Sequence, residues 1–138
     1  MNSKALADKI VDQMLDKDPF TKWLGIEIIS IKEGSCELKM QIRDEMLNGF
    51  EIAHGGITFS MADSALAFAS NSHGRICVSL ETSISHTKPC KSGDIIYAKA
   101  EEKSITNKIA IYNITICNQE KEVVALFKGT VFRTDKLF

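Results

Sequence analysis

The chain is predicted to adopt an α+β fold: one long buried helix wrapped by a curved antiparallel sheet of five or six strands, with a further helix at the N-terminus. Three observations predict it. Six strand-like segments, the last four rich in β-branched residues, are separated by turn-forming residues. One apolar stretch between the second and third of them, "ITFSMADSALAFASN" over 57–71, lacks proline and places helix formers on nearly every side. The first fifteen residues follow a different period, with Leu6, Ile10 and Met14 four apart and charges in the gaps.

Taken in order, the amphipathic N-terminal helix runs from about Ser3 to Leu15, and the sequence around Pro19 breaks it, because proline lacks an amide hydrogen and restricts its predecessor. The whole of 1–20 reads as an N-terminal helical segment. "GIEIISI" is the first strand and "KEGS" a turn. "CELKMQIR" alternates without a break, with Cys36, Leu38, Met40 and Ile42 on one face and Glu37, Lys39, Gln41 and Arg43 on the other, as a half-buried antiparallel strand requires. "DEMLNGFEIAHGG" is a loop leading into the apolar helix, for which Asn71 and Gly74 form a stop. Four further strands follow: "ICVSLETSISHT", "DIIYAKAEEKS", "KIAIYNITICN" and "EVVALFKGTVFRT". The last three are joined by "ITN" and "QEKE", short enough for tight antiparallel connections.

At 138 residues the chain suits one domain, 1–138, with a real hydrophobic core. A net charge of -1 with no run of Lys or Arg argues against nucleic acid or a membrane surface as partner. Cys36, Cys77, Cys90 and Cys117 form no C-x-x-C pair and read as free thiols of a reducing compartment. No apolar run approaches ~20 residues, so a soluble, cytoplasmic protein is expected. No metal-ligand set, phosphate-loop motif, dinucleotide fingerprint or nucleophile elbow appears.

One feature of the apolar helix asks for an explanation: between Ile57 and Ser70 the only charged residue is Asp63. Gly55-Gly56 stands at the helix start, where amides lack intrahelical partners and meet the positive end of the macrodipole. That is a place for an oxyanion, or simply a flexible entry to a packed helix. Asp63 is eight residues beyond Gly55, roughly 12 Å along the axis. One carbonyl group cannot touch both, since reacting atoms must approach within about 3–3.5 Å. Either the two are unrelated, with Asp63 reaching solvent or a Lys, or the second comes from another copy of the chain. A two-fold dimer with antiparallel helices side by side would make two equivalent sites. His54 is a candidate base or donor to a leaving group, or a local hydrogen-bonding residue. Asn48 could orient a carbonyl or shape its turn, and Ser79 could hold a water or be an ordinary strand residue.

The stretch "LNGFEIAHGGITFSMADSALAFASNSHG", together with "SHTKPCKSGDIIYAKAEE" and "VVALFKGTVFR", resembles the hotdog-fold acyl-CoA thioesterases of the phenylacetic-acid degradation (PaaI) type. The likeness runs from about Gly25 to Arg133. It implies a hotdog fold, hydrolysis of an acyl-CoA thioester with no metal or cofactor beyond the coenzyme A of the substrate, and a homodimer or homotetramer. By position it makes Asp63 the nucleophile or general base, and the Gly55 amide, helped by Asn48, the group that polarises the thioester carbonyl. His54 assists the leaving sulfur and Ser79 positions water. It puts Asp63 and Ser79 on one subunit and Asn48, His54 and Gly55 on its partner. Gly56 is expected beside the substrate, and Phe59 either lines an aryl-acyl pocket with it or packs in the core. Arg75, Lys88 and Lys91 are expected near the coenzyme A phosphates, or else as solvated loop charge. Ser83 and His86 depart from the more apolar strand of relatives and would alter the acyl pocket. A non-catalytic acyl-CoA or small-ligand binding protein and an acyl-thioester dehydratase of the same fold are the competing readings.

Overall fold

The structure, a computed structural model, describes residues 2–138. Helix α1 (Ser3–Asp16) begins where the Asn2 side chain accepts the Ala5 amide at 2.8 Å. Helix α2 (Pro19–Leu24) was not expected: Pro19 ends one helix but opens another, because a first-turn position needs no amide hydrogen. Asp18 caps it through the Thr21 amide, and Gly25, at φ 78°, closes it in the left-handed conformation that suits glycine.

Six strands follow the expected segments: β1 (Glu27–Lys32), β2 (Ser35–Gln41), β3 (Arg75–His86), β4 (Ile95–Ile105), β5 (Ile109–Cys117) and β6 (Val123–Leu137). They form one antiparallel sheet in the order β1-β2-β4-β5-β6-β3. The central helix α3 (Gly55–Asn71) starts two residues before the apolar run, so the glycines are its first turn.

Alternation along the strands decides what the sheet shows the helix. Leu38 and Met40 of β2, Ala98 and Ala100 of β4, Tyr112 and Ile114 of β5, and Phe127 and Val131 of β6 are all buried on one face. They meet Met61, Ala62, Ala65, Leu66 and Ala69 of α3 in a single core. Small residues let the backbones approach. At Gly129 the approach is closest, since a Cβ there would lie 2.5 Å from Leu66 Cδ2.

The helix is not covered on every side by its own chain. Gly56 and Asp63 are exposed, and Phe59, Ser60, Ser64 and Ala67 are only half-buried, which leaves one strip along α3 facing outward. Strand β3 is an edge strand with Val78 and Leu80 exposed at 49% and 57%. No helix among the described residues is long and apolar enough to cross a membrane.

Candidate active site

The loop before α3 is built to aim particular groups. A three-residue 3-10 turn (Asp44–Met46) leads to Leu47, which bridges Ala53 across a tight turn. Asn48 accepts the Phe50 amide at 2.8 Å and the Ile52 amide at 3.4 Å through Oδ1. Its oxygen is therefore committed to the turn, and Nδ2 is the end left to donate. Glu51 takes a left-handed φ of 63° to complete this turn. Backbone bonds from Ala53 to Cys90 and from His54 to Met46, each 2.8 Å, anchor the end of the loop.

His54 is the N-cap of α3, its Nδ1 accepting the Gly56 amide at 2.8 Å. An accepting Nδ1 carries no hydrogen, so Nε2–H is the ring's free donor. The Gly55 amide meets no acceptor among the described residues, because the cap takes Gly56 and the His54 carbonyl takes Ile57. An unpartnered amide at the positive end of a seventeen-residue helix is a ready donor to an oxyanion.

Asn48, Gly55 and Lys88 meet in one cleft of about 390 Å³, together with Thr58 and His86. His54 and Gly56 open instead onto the neighbouring groove, whose far wall is the stacked pair Phe20 and Trp23, ring centroids 6.1 Å apart. Asp63 lies two turns along the exposed strip, with no hydrogen bond or ion pair to its carboxylate among the described residues. Although it is solvent-exposed, partial desolvation by the surrounding apolar strip pushes its carboxyl above the usual value. Ser79 is exposed on edge strand β3. One copy of the chain thus brings Asn48 and Gly55 into one cleft at the start of α3, sets His54 and Gly56 on the adjoining groove, and leaves Asp63 and Ser79 away from both.

The residues expected at the substrate sort differently. Phe59 packs edge-on against Phe127, centroids 5.5 Å apart, and serves the core more than a pocket. Arg75 is engaged within its own copy: its guanidinium donates to the Thr134 and Arg133 carbonyls, each at 2.9 Å, and to Asn107. It staples β3 to β6 beyond the far end of α3, about 25 Å of helix from Gly55. Lys88 is exposed at the cleft and paired with Glu122, which holds its ammonium above the usual value and pulls the Glu122 carboxyl down to about 2. Lys91 is exposed in the turn before β4. Among the described residues no group of three His, Cys, Asp or Glu is placed to hold a metal.

Sequence reasoning passed over Thr58 and read His86 only as an unusual strand residue. The available signal was arithmetic. Strand β3 returns along α3, and at about 3.3 Å per residue its twelve residues span more than the helix, so its end comes back to the helix start.

A long central helix in a curled six-stranded antiparallel sheet, with a second helix at the N-terminus, defines a hotdog fold. The thioesterase superfamily profile matches residues 50–125, and the chain belongs to that superfamily as a thioester hydrolase of the PaaI type. It is 39% identical to the acyl-coenzyme A thioesterase PaaI of Escherichia coli, over 87% of this chain and 86% of that one. The structure of the Escherichia coli PaaI protein superposes with a TM-score of 0.96 at 35% identity, covering 99% of each chain. A Streptococcus mutans protein solved with acetyl-CoA bound superposes with a TM-score of 0.80 at 28% identity, over 82% of this chain and 91% of that one.

Proposed function

We propose that the chain hydrolyses acyl-CoA thioesters at two equivalent sites, each assembled from two copies in a homodimer. The observation that carries this reading is the unpartnered Gly55 amide beside the free Nδ2 of Asn48 in one cleft. The similarity to the Escherichia coli acyl-coenzyme A thioesterase and to a protein holding acetyl-CoA supports the substrate class.

In this reading the thioester oxygen lies between the Gly55 amide and Asn48 Nδ2. Both donors are fixed before negative charge develops, so they stabilise the tetrahedral intermediate more than the substrate. Asp63 of the partner copy attacks the carbonyl carbon or takes the proton of the attacking water. Both routes need the carboxylate form. Ser79 of that same copy holds the water. The departing thiolate is stabilised by a hydrogen bond from His54 Nε2–H, the ring nitrogen that the cap leaves free, and takes its proton from the Asp63 carboxyl that received one from water, or from solvent. Gly56 exposes backbone beside the acyl group, while Lys88 and Lys91, exposed at and near the cleft, face the coenzyme A phosphates. No metal or cofactor is required beyond the coenzyme A of the substrate.

The test is thiol release from a panel of aryl-acetyl-, short- and medium-chain acyl-CoAs by the wild type and Asp63→Ala side by side. Hydrolysis by the wild type and its loss in the variant, with the fold retained, is the expected result. Equal hydrolysis by both proteins would rule out Asp63 as the catalytic carboxylate.

A further inference from the structure

The role proposed for Gly55 is one that glycine fills poorly unaided. An oxyanion donor is effective only when it is fixed before charge develops, and glycine is the most mobile of residues. Here two side chains restrain it. His86, the last residue of β3, lays its imidazole against Gly55: a Cβ on that glycine would sit 3.2 Å from His86 Cε1 and 3.6 Å from Nε2. His86 Nε2 is 2.7 Å from Thr58 Oγ1, and Thr58 Oγ1 is 3.1 Å from the Gly55 carbonyl.

If both contacts are hydrogen bonds, one arrangement of protons serves them. A threonine hydroxyl has one hydrogen, and a carbonyl can only accept. The Thr58 hydrogen therefore goes to the Gly55 carbonyl, and the bond to His86 is made by a hydrogen on Nε2. Thr58 is buried, at 4% exposure, and a hydroxyl buried that deeply is expected to be satisfied. It is satisfied by two partners that both belong to the thioester cleft.

We infer that His86 and Thr58 form a clamp that holds Gly55 in the orientation its amide needs, with His86 a positioning residue acting through Thr58. The inference rests on the reading of Gly55 as the amide that polarises the carbonyl. It also accounts for glycine at position 55 on steric grounds, since any Cβ there meets the imidazole.

Steady-state kinetics and imidazole nitrogen NMR test it together. Thr58→Val and His86→Ala are each expected to lower kcat about 10-fold, the order that a small misplacement of a catalytic group costs, with KM changed less than about two-fold. The double variant is expected to be no slower than either single one, because both break the same clamp. Thr58→Ser keeps the hydroxyl and is expected to retain most of kcat. Gly55→Ala is expected to cost less in a His86→Ala background than alone. In the resting wild type the His86 proton is expected on Nε2, with the tautomer balance altered by Thr58→Val. That spectrum needs neither substrate nor a folded variant. Wild-type kcat in Thr58→Val and His86→Ala, additive losses, or a proton on Nδ1 would each overturn the clamp. An inert wild type whose spectrum shows the Nε2–H to Thr58 bond would instead overturn the hydrolase reading, and with it the catalytic meaning of the clamp.

Discussion

Asp63 places a charge where the protein disfavours one. In a single copy of the chain, desolvation raises its carboxyl above the usual value of 3.8, with no cation or amide of that copy to offset it. A carboxyl whose folded pKa is raised favours the protonated form in the folded state. Stability is therefore highest below the unfolded pKa and falls as pH rises through the window up to the folded one. Asp63→Asn removes that cost. It is expected to melt at a higher temperature than the wild type at pH 7, with the difference vanishing below about pH 3.8. The same variant is expected to lose at least ~10³-fold in kcat, as loss of a catalytic carboxylate typically does. Scanning calorimetry at two pH values and a thiol-release assay check both halves. A variant that is both less stable and fully active would contradict them.

At the scale of elements, the helix and the sheet hold each other at a distance set by small residues. Gly129→Ala would drive a methyl into Leu66, which is fully buried in the core and cannot swing clear. Overpacking of this kind costs about 1–3 kcal/mol, so urea unfolding of that variant should show a lowered midpoint with an unchanged slope. An unchanged midpoint would mean the helix shifts freely.

The main elements were legible because their periods differ. Alternation in "CELKMQIR" and the all-round apolar character of 57–71 report which faces are buried, and burial is what the structure satisfies. The short α2 was not legible, because a proline that ends one helix looks the same as a proline that starts the next, and only the Asp18 cap separates the two. At the site, His54, Gly55 and Asn48 could be found from local sequence because they share one loop and one helix start. Thr58 and His86 lie 28 residues apart and meet only through the return of β3, a tertiary contact that no local pattern encodes. Arg75 shows the opposite limit: sequence reports its charge but not the backbone carbonyls that engage it.

At the scale of the whole molecule, a single copy leaves two features uncovered. An exposed strip on α3 containing Asp63 lies outside the cover of its own sheet, and β3 presents a free twelve-residue edge with Val78 and Leu80 uncovered. A long, apolar edge strand is a hazard that proteins normally cover. A second copy, paired edge to edge with its helix antiparallel, would cover both features and carry Asp63 to the partner's Gly55. Leu80→Asp is therefore expected to yield a monomer with little activity. Analytical ultracentrifugation and the thiol-release assay should move together. A fully active monomer would separate oligomerisation from the site.

The central claim is that one site needs two copies of the chain. The most direct measurement is complementation: Asp63→Ala and Asn48→Ala chains, each inactive alone, are unfolded together, refolded as mixed dimers and assayed for acyl-CoA hydrolysis. A mixed dimer has one site with both residues lost and one with both intact. Recovery towards about half of the wild-type rate per mixed dimer is the predicted result. No recovery, in mixed dimers verified by mass, would contradict a site shared between copies.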